Sequence, residues 1–237
     1  MRRPERLAFM LTAFLLTSAT SLVAADNTLT SKEKADGWIL LFDGKTLNGW
    51  DATLPPPVPG ATPAAPATYP QVGNNPRPCS TPIGKAPVPP GTSHWEVVKG
   101  AISPCDAPPG NLATKASYKD FVLAVDFRTG DETNSGVFVR SPGNSGGYEV
   151  QIWKAQPAGF NTGSIVGVGK TEGEFKFIPG QWNHYEITAQ GDHFTIVLNG
   201  MKTLDVHDSK SPEGSVRLQY QKFPIEFKNI KLKVLKN

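Results

Sequence analysis

The sequence predicts an all-β protein, a sandwich of two antiparallel sheets. The chain has 237 residues with 23 Gly and 22 Pro, a composition typical of turn-rich β proteins. From Trp95 onward, short runs alternate apolar and polar residues with a period of two, as strands with one buried face do. Turn residues separate these runs, and no run has the period of a three-turn helix. Regular short strands of this kind favour a sandwich.

The first 25 residues have the organisation of a secretory signal peptide. They begin with three arginines, continue with an apolar stretch at 7–16, and end in small residues at 23–25. The apolar stretch is too short to span a membrane. We therefore expect cleavage after Ala24 or Ala25, an exported protein in the periplasm or secreted medium, and no membrane span.

The charge of the chain gives little reason to expect a charged partner. Removing residues 1–25 would lower the net charge from +3 to +1. No cluster of basic residues suggests binding to nucleic acid or to an anionic membrane surface. We expect a neutral partner and no nucleic acid.

A proline-rich segment interrupts the rest of the chain, which we interpret as one domain over residues 36–237. Residues 52–92 hold 13 of the 22 prolines, a composition that favours extended chain. A plain insertion and a cover over a substrate both fit this composition. Cys79 and Cys105 are the two cysteines; export favours a disulfide between them, with two free thiols as the alternative.

Seven runs carry the alternation, and each is predicted to be a strand with one face in the core. In the last run the phase slips near Asn229, because Ile225 and Phe227 are followed by Ile230 and Leu232, and a β-bulge there would restore the inward face. In chain order the runs are FVLAVDF, GVFVR, YEVQIW, HYEIT, FTIVLNG, SVRLQYQ and IEFKNIKLKVL.

The polar positions of these strands form the candidate binding face. A face with carboxylate, amide, guanidinium and indole groups suits a sugar, whose hydroxyls need fixed polar partners and whose ring stacks on an aromatic side chain. A face that is simply exposed to water would also be polar. The large aromatic side chain of Trp153 favours the interpretation that this face binds a sugar. The candidates are Arg140, Glu149, Gln151, Trp153, Arg217, Gln219, Gln221, Glu226 and Lys228.

Several common sites have no counterpart in the sequence. It contains no nucleotide-binding glycine loop, no G-x-S-x-G, no HExxH and no CxxC motif, each of which places specific chemistry at fixed spacing. The four histidines, at positions 94, 184, 193 and 207, are scattered without metal-ligand spacing. Whether a metal is bound is therefore left open.

Several motifs occur in a characteristic order along the chain. The opening GWILLFDGKTLNGW resembles the N-terminal motif of the family of 3-keto-disaccharide hydrolases, long catalogued as a domain of unknown function. HWEVVKGAIS is similar to the W-x-V-x-x-G-x-L element of that family. YKDFVLAVDFRTGDETNSGVFVR is similar to its Y-x-D-F run ending in N-S-G-[IV]-F-x-R. The likeness covers about residues 36–50 and 94–237 and continues through GYEVQI, TGSIVGV, GQWNHYEI, LNG and IEFKNIKLKVL.

The resemblance implies a concanavalin A-like jelly-roll sandwich and cleavage of glycosides whose C3 hydroxyl has been oxidised to a ketone. The ketone acidifies the C2 proton, so that a base can remove it, the C1 oxygen can leave, and water can add back. On the family positions, Glu149 would be the base or a metal ligand, and Arg140 would stabilise the enolate or order Glu149. Glu226 is a second carboxylate with a catalytic or a structural role.

The resemblance also implies a substrate-binding role and leaves two alternatives. Gln151 falls on a family position and would bind the sugar hydroxyls, while Trp153, Gln219 and Gln221 would bind the sugar as members of the candidate binding face. A divalent metal would follow from the family alone. The chain departs from the family at Trp153-Lys154, where an Asp is usual, and at Gln221-Lys222 in LQYQKF, where a His-Gly pair is usual after the Leu-Gln. A non-catalytic carbohydrate-binding sandwich, or a glycosidase using Glu149 and Glu226 on unoxidised sugar, are therefore alternatives.

Overall fold

In the computed structural model of the chain, the regular structure of the described residues consists of two antiparallel sheets and one short helix. The predicted signal peptide, most of the proline-rich segment and Cys79 lie outside the described residues, so the predicted disulfide from the buried Cys105 stays a prediction. The residues described are 25–53, 95–105, 109–143, 146–173, 175–222 and 224–236.

The larger sheet has eight strands. Their order is β11-β10-β9-β6-β13-β4-β3, and β1 pairs with β13 beside this path. The strands are β1 (Trp38–Leu40), β3 (Trp95–Val98), β4 (Ala101–Pro104), β6 (Phe121–Thr129), β9 (Trp182–Gln190), β10 (His193–Leu198), β11 (Met201–His207) and β13 (Ile225–Val234).

The smaller sheet has five strands in the order β2-β5-β12-β7-β8. This order places β7 between β12 and β8, although β12 lies some seventy residues later in the chain. The strands are β2 (Trp50–Thr53), β5 (Gly110–Thr114), β7 (Asn134–Ser141), β8 (Tyr148–Ile152) and β12 (Ser215–Lys222).

A single-turn helix, α1 (Ser31–Ala35), precedes the first strand. Thr30 caps it, because its hydroxyl accepts from the backbone N–H of Glu33 while the Glu33 carboxylate accepts from the backbone N–H of Thr30, a capping box. Within the described part of the chain, no helix has the length and apolar character needed to cross a membrane.

The core lies between the inner faces of the two sheets, and the predicted alternation is confirmed. In β6, Phe121, Leu123, Val125 and Phe127 are all fully buried. The facing side chains come from alternate positions of the smaller sheet, including Val137, Val150 and Leu218. The residues between them therefore point to the two outer faces of the sandwich.

The predicted irregularity in the last strand is also confirmed. The pairing of β13 with β6 shifts register between Lys228 and Lys231. Asn229, at the shift, has a φ of 52°, and its backbone N–H donates to the side chain of Asn27 at 2.8 Å. The shift returns Ile230 and Leu232 to the core.

Candidate functional site

A row of side chains crosses the outer face of the five-stranded sheet. Glu149 on β8 lies opposite Phe138 on β7, and Phe138 lies opposite Arg217 on β12. Side chains in one such row are about 4.5–5.5 Å apart at their Cβ atoms. The neighbouring row contains Gln151, Gly136, Gln219 and Asn111.

Glu149 is the half-buried carboxylate at one end of this row, whereas Asp51 at the other end is exposed. The environment of Glu149 changes its acidity. Burial raises the pKa of Glu149 to about 7, against the opposing effects of the Arg217 charge and a hydrogen bond from the side chain of Gln219. Desolvation disfavours the ionised carboxylate, which is why it is the dominant cause. A carboxyl group with a pKa near neutrality is suited to accept and return a proton at physiological pH.

Arg217 is the cation whose charge acts on Glu149 from across Phe138, and its side chain is held in place. It is 2% exposed, its Nη2 donates to the carbonyl oxygen of Gly146 at 2.8 Å, and its guanidinium lies 4.5 Å from the centre of the Phe138 ring. Burial lowers the pKa of Arg217 and the charge of Glu149 opposes this effect. The site therefore presents a fixed positive charge next to a titratable carboxyl group.

The two glutamines that were predicted to bind substrate both lie close to Glu149. Gln219 donates to its carboxylate, and the Oε1 of Gln219 is buried without a hydrogen-bond partner among the residues described. Gln151 is 3% exposed and its Oε1 accepts from the backbone N–H of Ile152 at 3.0 Å.

The other two predicted binding residues lie at the margins of this face. Trp153 follows the end of β8, is half-buried, and accepts a backbone hydrogen bond from Thr162 at 3.0 Å. Gln221 is exposed near the end of β12, where the pairing with β7 shifts register. The substrate-binding roles of all four residues stay predictions.

The structure does not bring Arg140 to Glu149. Between Phe138 and Ser141, β7 has one residue more than the facing part of β12, and Arg140 there has a φ of 50°. A bulge of this kind re-aims a side chain. Alternation would place Arg140 on the outer face with Phe138, but its side chain is 1% exposed and turned inward.

The partners of Arg140 give it a structural environment. Its guanidinium donates to the carbonyl oxygens of Lys119 and Gly191, at 2.6 Å each, and to the carboxylate of Asp120 at 3.0 Å. It also lies 5.0 Å from the centre of the Phe194 ring. The arginine next to Glu149 is thus Arg217, and these contacts give Arg140 a role in the fold in place of the predicted role at the enolate.

Glu226 is separated from Glu149 by the thickness of the sandwich. It lies on the outer face of the eight-stranded sheet, between the buried Ile225 and Phe227. The Nε of Arg128 donates to its carboxylate at 2.6 Å. Since the outer faces of two packed sheets point in opposite directions, Glu226 and Glu149 do not face one bond.

The residues around Glu149 do not fit a metal ion. The groups that act on its carboxylate are a guanidinium and an amide, whereas divalent cations need several carboxylate, carbonyl or imidazole ligands. The described parts of the chain hold no group of three His, Cys, Asp or Glu side chains placed for a metal. The three described histidines each pair with one aspartate on the eight-stranded sheet.

Sequence reasoning gave no role to two residues that complete the face. Arg217 was a candidate for the polar face without a catalytic role, and Phe138 was not a candidate. Both residues alternate with the buried Val137, Val139 and Leu218, and this alternation was the signal in the sequence that places them on an outer face. What was missing is that β12, β7 and β8 are neighbours, which alternation does not reveal.

Solved structures with the same fold are known from Parabacteroides distasonis ATCC 8503. One, of a “putative glycosyl hydrolase”, matches with a TM-score of 0.67 and 20% identity over 90% of this chain and 100% of that chain. A second with the same description has a TM-score of 0.54 and 24% identity over 60% of this chain and 90% of that chain. No curated protein is significantly similar to this chain.

The family of the chain follows from a match to its sequence model. The model of the 3-keto-alpha-glucoside-1,2-lyase-like domain covers residues 37–233, so the chain is a carbohydrate-active β-sandwich of the hydrolase type. The chain belongs to the 3-keto-alpha-glucoside-1,2-lyase-like family. The resemblance seen in the motifs is thereby confirmed.

Proposed function

We propose that this protein is an exported enzyme that cleaves 3-keto-glycosides, with Glu149 as the base. The observation that carries the proposal is a carboxyl group with a pKa of about 7 that lies across Phe138 from the buried guanidinium of Arg217 and is influenced by its charge. Perturbed titratable groups of this kind are typical of catalytic sites. The family match supports the choice of an oxidised glycoside as substrate.

The chemistry uses these two residues in sequence. The ionised Glu149 removes the proton from C2, which the C3 ketone has made acidic, and the electron pair moves to the C3 oxygen. Arg217 stabilises the resulting enolate, as positive groups in a water-poor site do. The C3 ketone then re-forms as the enolate electrons make the C1–C2 double bond and the C1–O bond breaks, and the leaving oxygen takes a proton from water. The hydroxide adds to C1 while Glu149 returns its proton to C2, and the net result is hydrolysis.

Gln219 is suited to hold the sugar while this happens. Its amide donates to Glu149, so its Oε1 faces away as a buried acceptor without a partner among the described residues. A buried acceptor that is left unsatisfied is costly, and a sugar hydroxyl would satisfy it. Gln151, Trp153 and Gln221 would contribute further contacts to the sugar.

The geometry argues against a conventional glycosidase built on Glu149 and Glu226. Such enzymes need two carboxyl groups about 5–10 Å apart on either side of one bond. Glu149 and Glu226 lie on the outer faces of different sheets. The two sheets are themselves about 10 Å apart and their outer side chains point away from each other, so the two carboxyl groups are farther apart than this and cannot flank one bond.

The test is a comparison of matched glucosides and 3-keto-glucosides. We expect the purified protein to cleave the keto form alone, and we expect Glu149→Gln to lose about 10²–10⁴-fold in kcat/KM, the usual contribution of a general base. Glu186→Gln is the matched control, because Glu186 is exposed on the other sheet, and should keep full activity. Each assay is run with and without a chelator.

The outcomes separate the candidate functions. Binding of either sugar without cleavage would establish the non-catalytic carbohydrate-binding alternative. Cleavage of the unoxidised glucoside would refute the 3-keto proposal, and full activity of Glu149→Gln would remove Glu149 from the mechanism. Loss of activity on chelation would show that a metal takes part through groups beyond those described.

The exported location is a separate part of the proposal, and it depends on residues 1–25. N-terminal sequencing of the protein recovered from the producing cells should find a chain that begins at Ala25 or Asp26. Recovery of the protein in the cytoplasm with Met1 in place would refute export.

A further inference from the structure

Gly136 occupies an unusual place for a glycine, in the middle of β7. Its φ is outside the positive range in which glycine is favoured, so the backbone there would accept any residue. Glycine weakens a strand interior and commonly marks a point where another group approaches closely. The reason for glycine at this position must therefore be sought in its neighbours.

The neighbour that approaches Gly136 is the side chain of Glu149. A Cβ atom built on Gly136 would lie 2.9 Å from both the Cγ and the Oε1 of Glu149, and 3.3 Å from the carbonyl oxygen of Val150. Contacts of 2.9 Å are too short for a real Cβ atom, so any other residue would collide with this carboxylate. Glu149 therefore lies over the bare backbone of Gly136.

We propose that Gly136 is a positioning residue, whose missing side chain forms the recess that holds the Glu149 carboxylate against the sheet, within reach of Gln219 and Arg217. This inference depends on the proposed function for its catalytic meaning, and on the geometry of Glu149 alone for its physical content. In the recess, the sheet backbone shields one side of the carboxylate from water. The shielding is a direct source of the burial that raises the pKa of Glu149.

A methyl group at position 136 should displace Glu149 rather than the sheet. The colliding atoms of Glu149 belong to the end of a flexible side chain, whereas the Val150 carbonyl needs to give way by only a few tenths of an ångström. Rotation of the Glu149 side chain out of the recess exposes the carboxylate to water. It also lengthens the distances to Gln219 and Arg217.

The experiment compares Gly136→Ala with Gly130→Ala. Gly130 also lacks a positive φ, but a Cβ there would meet its nearest atom only at 3.6 Å, so the control adds the same methyl group without a collision. The titration of Glu149 is followed by NMR of ¹³C-labelled carboxyl groups, with Glu149→Gln used to assign its signal. This readout needs no substrate.

We expect Gly136→Ala to move the titration midpoint of Glu149 from about 7 toward the value of about 4.3 for an exposed glutamate. The acid limb of the kcat/KM profile should move in the same direction, and kcat/KM at its plateau should fall by about 10²-fold, as a displacement of about 1 Å can cause. Gly130→Ala should change none of these. An unchanged Glu149 midpoint in a folded Gly136→Ala protein would overturn the proposal.

A double variant decides the case in which Gly136→Ala folds poorly. The comparison is made at about pH 4.5, where Glu149 is protonated and its burial carries no ionisation cost. Truncation of Glu149 to alanine removes the colliding atoms, so Gly136→Ala should then lower Tm by at least about 2 °C in the wild-type background and by less in the Glu149→Ala background. Equal losses in both backgrounds would overturn the proposal. If no 3-keto-glycoside is cleaved, the proposed function fails while the titration and the double variant still decide the role of Gly136.

Discussion

Replacing Glu149 with glutamine is expected to stabilise the protein above pH 7 while it removes catalysis. Burial holds the pKa of Glu149 at about 7, compared with 4.5 for an ordinary glutamate. Ionisation of this group at neutral pH therefore costs the folded protein free energy. Glutamine has the shape and hydrogen-bonding capacity of the protonated acid without that cost.

The size of the effect follows from the two pKa values. Each unit of difference between the folded and unfolded pKa corresponds to about 1.4 kcal/mol of folding free energy. The difference between 4.5 and about 7 therefore gives roughly 3 kcal/mol. Because the carboxyl group is partly buried, some access to solvent reduces this figure, and we expect the variant to gain about 2–3 kcal/mol at pH 8.

The sign depends on pH. Glu149 has a folded-state pKa above its unfolded value, so between pH 4.5 and about 7 the folded state binds more protons than the unfolded state. The contribution of Glu149 to the stability of the wild-type protein is then greatest below pH 4.5 and falls as pH rises to about 7. The glutamine that replaces Glu149 does not titrate. The two proteins should therefore have equal free energies of unfolding near about pH 4, and the variant should have its full advantage of about 2–3 kcal/mol above about pH 8.

Urea unfolding at half-unit steps from about pH 4 to about pH 8.5 measures this difference. Activity provides the second readout: at pH 5 about 1% of Glu149 is ionised, so kcat/KM of the wild-type protein should be about 100-fold below its plateau above pH 8. A difference in stability that stays constant with pH, or a variant less stable than wild type at pH 8, would refute the reasoning.

Three further predictions concern the arginines and the second carboxylate. Arg217→Met should raise the pKa of Glu149 above 7, because the Arg217 charge now lowers it, and should reduce kcat/KM by about 10²–10³-fold; a pH profile of the variant measures both. Arg140→Met should lower the free energy of unfolding by roughly 3–5 kcal/mol, because it leaves the buried Asp120 without its cation; urea unfolding measures this loss, and a shifted pH profile would count against a purely structural role. Glu226→Gln breaks a partly exposed ion pair, so it should cost less than about 1 kcal/mol and leave cleavage intact, and complete loss of activity would contradict its placement.

The sandwich was predictable because its evidence is local. Alternation in FVLAVDF follows from the fact that successive side chains of a strand point to opposite faces, and Phe121 to Phe127 are buried as the pattern requires. The irregularity at Asn229 was predictable for the same reason, since a slip in the apolar phase needs one extra residue. In each case, a few neighbouring residues contain the whole signal.

The place of Arg140 could not be predicted from the same pattern. Its left-handed backbone conformation and the extra residue in β7 turn the side chain inward, where backbone carbonyls and Asp120 satisfy it. The apolar residues before it, Val137 and Val139, alternate regularly, so the pattern does not reveal the extra residue at Arg140. Unlike Asn or Gly, arginine does not favour a positive φ, and nothing in the sequence marks the position.

The partnership of Glu149 and Arg217 was hidden for a different reason. The two residues are 68 positions apart in the sequence and meet across Phe138, because β7 lies between their strands. Strand order is set by packing of the whole sandwich, so a face that looks uniform in the sequence divides between two sheets. Glu226 shows the consequence: it alternates as Glu149 does, yet it belongs to the other sheet.

The two outer faces differ in how their charges meet water, and this difference indicates where chemistry can occur. On the eight-stranded sheet, the side chains of Arg128 and Glu226 are 42% and 26% exposed, so solvent screens their attraction and such a pair contributes little. On the five-stranded sheet, Arg217 is 2% exposed and Glu149 is protonated or ionised with almost equal ease at pH 7. A reaction that moves one proton and creates one negative charge gains most where both the proton acceptor and the stabilising cation are already withdrawn from water. The same argument makes Gly136 more than a structural detail, because it sets how far the acceptor is withdrawn.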